Sequence, residues 1–62
     1  MPTLRRIELF LRRTGMAATR FGRESVRDPR LVHDLRKGRE LGDRIRRRLE
    51  HFMNTYEGSA AR

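Results

Sequence analysis

Leu4, Ile7 and Leu11 recur at a helical spacing and Phe10 broadens their stripe, which predicts a helix over residues 4–14. Thr3 is placed to cap its start and Gly15 to end it. Leu9 falls off this stripe, so it is either exposed or a contact for a partner. Ala18, Phe21, Gly22 and Ser25 share one face of a second, shorter helix over residues 17–26. Glycine inside a helix costs about 1 kcal/mol relative to alanine, and close approach of the next helix would explain it. Leu31, Val32 and Leu35 fall on one side of a third segment, residues 29–37, with Arg30, His33, Asp34 and Lys37 on the other. The longest apolar face belongs to residues 43–56, where Ile45, Leu49, Phe52, Met53 and Tyr56 follow a helical period. Gly42-Asp43 marks its start, and Leu41 either joins the core from the loop before it or stays outside. No repeat, low-complexity tract or strand-like alternation interrupts this pattern.

The punctuation between the second and third helices carries the most information. Asp28 is a good N-cap and Pro29 suits the first helical position, where a missing N–H costs nothing. Gly38 is a natural residue just past a helix end. Two short helices joined by a tight turn make a helix-turn-helix, whose second helix is the one that enters a DNA major groove. The pattern as a whole predicts an all-α, compact four-helix bundle: one domain over residues 1–57 and a flexible tail over 58–62, small and polar from Gly58 onward.

Size and composition narrow the function. The chain has 62 residues and no cysteine, so neither a disulfide framework nor a thiolate metal site supports it. His33 and His51 are too few and too far apart for a metal cluster. No apolar run reaches membrane-spanning length, and the arginine-bearing N-terminus lacks an apolar signal core; a cytoplasmic protein of a bacterium or phage is expected. No metal, no cofactor and no enzymatic reaction are expected, because no carboxylate–His–nucleophile spacing surrounds either histidine.

Charge changes the picture further. Lysine and arginine number 16 against 8 acids, a net charge of +8, and this favours a polyanionic partner. All but one of the basic residues are arginines, whose fork suits phosphates and guanine edges. The half that holds the helix-turn-helix, residues 1–38, carries a net +6, against +2 for residues 39–62.

Gly22, Val26, Asp28, Val32, Leu35 and Gly38 together resemble the helix-turn-helix of the lambda-repressor/Cro-like (Xre) family. That pattern has a small residue in the second helix, then an apolar residue and a polar cap at the turn. A β-branched core residue, a further apolar residue and a glycine complete it. The resemblance covers residues 14–39 closely and the four helices more loosely. It departs in three places: Ala18 stands where the family has glutamine, Val26 or Arg27 where it has a turn glycine, and a fifth helix is missing. The resemblance implies a lambda-repressor-like fold, double-stranded DNA as partner, and a dimer.

On this reading Arg30 is the strongest candidate for base readout, since arginine bidentate to guanine is the commonest specific contact. Pro29, His33 and Asp34 are the other candidate base contacts. Asp34 either accepts from a cytosine amino group or pairs with Arg30 at i, i+4, or does both. His33 is a flanking contact or a solvated residue, and Pro29 has a sufficient structural role. Thr19, Arg20, Arg23, Arg27, Arg36, Lys37 and Arg39 are candidate phosphate clamps, which set affinity and register rather than sequence choice. Arg46, Arg47 and Arg48 either extend that ring or form the wet face of the last helix. Leu9, Phe52, Met53 and Tyr56 are the candidates for an oligomer interface, because one recognition helix reads too few base pairs alone.

The expected function is therefore a sequence-specific DNA-binding transcriptional regulator of repressor type. It would place residues 29–37 in the major groove and act as a homodimer formed in solution or on DNA. The alternative is an antitoxin-like or adaptor module that docks a protein partner on the apolar face of the last helix. A small RNA-binding protein is a third possibility, but it lacks the interleaved aromatics that stack on single-stranded bases.

Overall fold

The computed structural model describes the backbone of residues 3–60 and the side chains of residues 3–56. Four helices follow one another: α1 (Thr3–Thr14), α2 (Ala18–Val26), α3 (Leu31–Arg36) and α4 (Asp43–Ala60). No strand occurs among the described residues. The radius of gyration is 10.8 Å, close to the ~10.6 Å of a compact folded chain of this length.

α1 begins at Thr3, which is itself helical rather than a cap, and closes at Gly15, whose N–H donates to the Leu11 carbonyl. Thr14 stabilises the exit on both sides: its hydroxyl donates to the Phe10 carbonyl and accepts from the Met16 N–H. That second bond turns Met16 inward, where it is 7% exposed. Met16 is a core residue that helical periodicity does not reveal, because it sits in the three-residue link between two helices.

The core gathers Ile7, Phe10 and Leu11 from α1, Phe21 from α2, Leu31, Val32 and Leu35 from α3, and Leu49 and Met53 from α4. Full burial of each such side chain stabilises the fold by roughly 1.5–3 kcal/mol. Leu4, Ala18, Val26, Leu41, Ile45, Phe52 and Tyr56 pack around them, half-buried. Leu41 thus does join the core from the loop. All four aromatics of the chain touch: Phe10 lies 5.5 Å from Phe21, 6.2 Å from Phe52 and 5.5 Å from Tyr56, mostly tilted or edge-on. Edge-to-face packing of this kind adds to the area buried. The apolar face of α4 is therefore turned into the molecule.

The α2–α3 junction is the tightest part of the fold. A Cβ placed on Gly22 would lie 2.1 Å from the Asp28 carbonyl oxygen and 3.2 Å from the Leu31 Cβ, so only glycine permits this approach. Glycine in a helix interior is thus explained by the chain returning over it. The Gly22 carbonyl in turn accepts from the Asp28 N–H at 3.0 Å. Arg27 holds the left-handed conformation that reverses the chain, with φ +59°; of the two candidates for the turn position, it is Arg27 and not Val26.

Asp28 accepts from the Arg30 N–H at 3.1 Å, as an N-cap would, but the helical turns proper start at Leu31, later than residue 29. Pro29 and Arg30 form a turn in which the Leu31 N–H reaches only back to the Asp28 carbonyl. The far end of α3 closes as expected. Gly38, at φ +103°, donates to the Leu35 carbonyl, and the Arg39 N–H donates to the Asp34 carbonyl, the Schellman arrangement. α4 starts at Asp43 and its backbone stays helical to Ala60, past the Gly58 at which a tail was expected; residues 61–62 lie outside the described part.

Candidate nucleic-acid interface

The turn and α3 present a short polar surface. Leu31, Val32 and Leu35 are buried, which turns the opposite arc of α3 outward. His33 lies on that arc, and Arg30 and Lys37 flank α3 at its two ends. All three are exposed, and so is Pro29 beside them. Neither Arg30 nor Lys37 has an ion-pair partner among the described residues. Arg27, at the crest of the turn, and Arg23 and Thr19, on the outer face of α2, are likewise exposed and unpaired.

Other residues of the same candidate set have partners inside the molecule. Arg36 lies on the far side of α3 and grips Glu8 of α1 with two parallel bonds, Nε–Oε2 at 2.9 Å and Nη2–Oε1 at 2.7 Å. This fork-to-fork geometry ties α3 to α1 across 28 residues of sequence. Arg39 reaches back from the Schellman turn to Asp28, at 2.8 Å, and to Asp34, at 3.4 Å. Arg20 pairs with Glu24 one turn on. Three of the seven expected clamps, Arg20, Arg36 and Arg39, are thus occupied by carboxylates. Asp34 is half-buried and paired with Arg39, not with Arg30, which corrects the i, i+4 pairing expected from the sequence. Only the backbone links the two, through the Asp34 N–H and the Arg30 carbonyl at 2.8 Å.

The ion pairs mark themselves electrostatically. The Arg36 guanidinium, hydrogen-bonded to Glu8, holds that carboxyl below its ordinary value of 4.5. Arg39, with the Arg30 N–H, does the same to Asp28 against its ordinary 3.8. In return Glu8 and Asp28 raise the affinity of Arg36 and Arg39 for their protons.

The oligomer candidates fare differently from one another. Met53 is 4% exposed and belongs to the core, so it forms no part of any surface. Phe52 and Tyr56 are half-buried, with ring centroids 6.0 Å apart and both rings against Phe10. Periodicity on an isolated helix does not tell a core face from an interface; the aromatics of α1 and α2 decide it by packing there. Leu9 is half-buried but lies outside the core cluster. By helical position it is flanked by Arg5 and Arg12, whose like charges would oppose a two-fold contact there.

A second basic arc lies on α4. Arg44, Arg47, Arg48 and His51 share its outer side and are all exposed. Arg47, Arg48 and His51 line a groove of about 390 Å³ against α2, with Glu24, Ser25, Phe52 and Thr55. Arg46 points elsewhere. It pairs with Asp43 at 2.9 Å and lines another groove with Leu4, Leu35 and Leu41. The run Arg46–Arg48 is therefore not one patch. The period that separates 46 from 44, 47, 48 and 51 was available in the sequence, though adjacency along the chain obscures it.

No family model, curated protein or solved structure matches the chain. Among the described residues no helix is long and apolar enough to cross a membrane.

Proposed function

We propose that this protein binds double-stranded DNA in a sequence-dependent manner and acts as a transcriptional regulator, with α2, the turn and α3 serving as a lambda-repressor-like helix-turn-helix. The observation that carries this reading is the outer arc of α3. Arg30, His33 and Lys37 stand exposed there, with neither cation ion-paired, although carboxylates lie within a few residues. Those carboxylates, Asp28 and Asp34, are drawn to Arg39 instead. A major groove admits an α-helix, and its base edges offer acceptors that match arginine. Arg30 is the base reader in this reading. His33 and Pro29 flank it, and Arg23, Arg27, Lys37 and Thr19 hold phosphates. Asp34 orients the end of α3 through Arg39 rather than aiming Arg30.

The six residues of α3 span few base pairs, so the reading includes a second copy on an adjoining half-site about 10 base pairs away. Leu9 and the exposed edges of Phe52 and Tyr56 are the apolar surface left for that contact.

Selection of bound duplexes from a random pool, followed by titration at rising salt, tests the proposal. A recurrent motif with two half-sites and a steep loss of affinity with salt is expected. Equal affinity for every duplex, or a flat salt response, overturns it.

A further inference from the structure

Resting on the duplex-binding reading, we infer that the outer face of α4 is a second DNA-phosphate site, built from Arg44, Arg47 and Arg48 with His51 at its end. The carboxylates within the described side chains of α4 have other partners: Asp43 pairs with Arg46 at 2.9 Å, and Glu50 with Arg6 of α1 at 3.2 Å. Glu24, on the far wall of the groove, is held by Arg20. Arg44, Arg47 and Arg48 are left without an ion-pair partner among the described residues.

Their spacing sharpens the inference. Arg44 is followed at i+3 and i+4 by Arg47 and Arg48, so like charges stand one helical turn apart and repel, and His51 ends the row one turn on. An anion lying along the row relieves that repulsion. From residue 44 to residue 51 the helix rises about 10 Å, the axial length of roughly three phosphates on one strand of a duplex. Arg44, Arg47 and Arg48 supply guanidinium forks, the group best shaped for phosphate oxygens, over the first ~6 Å of that rise. The hydroxyls beside the row are already committed. Ser25 donates to the Phe21 carbonyl at 2.6 Å, and Thr55 to the His51 carbonyl at 2.9 Å. The site therefore recognises charge and spacing, not base identity. The groove beside the row is walled by Glu24 and Ser25 of α2, which also packs against α3, and the row adds affinity without adding sequence preference.

The decisive experiment compares salt dependence of duplex binding in three proteins: the natural chain, R44Q/R47Q/R48Q, and R46Q. Glutamine keeps helix propensity, and all these positions are exposed. The triple variant is expected to lower the steepness of log K against log salt by roughly 2 to 3 units, about 0.9 for each phosphate released. Its ranking of duplex sequences stays as in the natural chain. R46Q leaves the steepness nearly unchanged although it also removes one positive charge. Single glutamine variants, each losing about 0.9, keep the test decisive if the triple variant melts early, and R44K/R47K/R48K retains the natural steepness. A triple variant as salt-dependent as the natural chain overturns the inference while leaving the α3 reading intact. One that keeps its duplex binding but loses binding to a poly-glutamate peptide overturns it too, and assigns the row to an acidic protein partner. If the natural chain binds no duplex at all, both readings fall.

Discussion

Arginines in two regions of this molecule do opposite things. Along the seam between α1, α3 and the turn, Arg36 and Arg39 are closed onto Glu8, Asp28 and Asp34. On the outer arcs of α3 and α4, Arg30, Arg44, Arg47 and Arg48 are exposed and form no ion pair among the described residues. The residue type is the same, and both sets are exposed; the side chain of Arg36 is still 50% accessible. What differs is the placement of the acids. The seam uses arginine to fasten elements that are distant in sequence, and the arcs hold it available for an external anion. A net charge counted over the chain averages these two roles together.

The largest expected effect breaks the seam at its base. Gly22→Ala forces a methyl group into the Asp28 carbonyl, and displacing Asp28 also displaces the partner of Arg39. A loss of roughly 3 kcal/mol or more is expected, readable as a large drop in thermal or urea midpoint. A near-natural midpoint would show that the α2–α3 junction is looser than described.

The next effect sharpens the outer arc. Arg30→Ala should leave the melting temperature nearly unchanged and remove about 1–3 kcal/mol of discrimination at one base pair. Arg23→Ala should weaken binding to all sequences about equally. Competition binding against single-base operator variants separates the two, and identical behaviour of both mutants removes the distinction between reader and clamp.

A smaller change, of opposite sign, is expected at the turn between the regions. Arg27 adopts φ +59°, which a side chain disfavours by roughly 1 kcal/mol. Arg27→Gly should raise stability by somewhat less than that, since glycine also frees the unfolded chain, and should lower DNA affinity if the side chain meets phosphate. Paired denaturation and binding curves show whether the two changes run in opposite directions.

The smallest effect concerns acid. Glu8 and Asp28 have their carboxyls lowered by Arg36 and Arg39, from ordinary values of 4.5 and 3.8. A carboxyl depressed in the folded state contributes stability that is fully present above its unfolded pKa and lost as pH falls through the folded one. Stability should therefore hold from neutral pH down to the ordinary carboxylate range and decline below it, modestly because both pairs are solvent-exposed. In Glu8→Gln part of that decline should disappear from the acid denaturation curve. An unchanged curve would mean that the Arg36–Glu8 pair is not closed in solution.

Much of the fold is legible in the chain because its causes are local. The period of Ile7, Phe10 and Leu11, and that of Leu49 and Met53, follows from helix geometry and the burial of one face. Gly38 follows from the left-handed residue that a helix exit requires, and Asp28 from the unsatisfied N–H groups at a helix start. Gly22 marks a close approach because nothing else justifies glycine inside a helix. Local rules also place Arg30 and Lys37 at the two ends of the segment that carries His33, since a cap and an exit beside one short helix need no tertiary information.

The tertiary structure alone decided the rest. Sequence spacing says nothing of whether Arg36 meets Glu8, 28 residues away, because that pairing depends on how α3 lies against α1. Asp34 had three cations within helical or turn reach, Arg30, Lys37 and Arg39, and the Schellman turn brought Arg39 to it. Met16 became core because Thr14 captured its N–H in a link with no period of its own. Phe52 and Tyr56 turned inward because Phe10 and Phe21 were there to receive them, which an isolated amphipathic helix cannot announce. The pattern of apolar residues determined which elements form. The meeting of side chains from different elements, which depends on three-dimensional distance and not on position along the chain, determined which charges are spent inside and which remain outside.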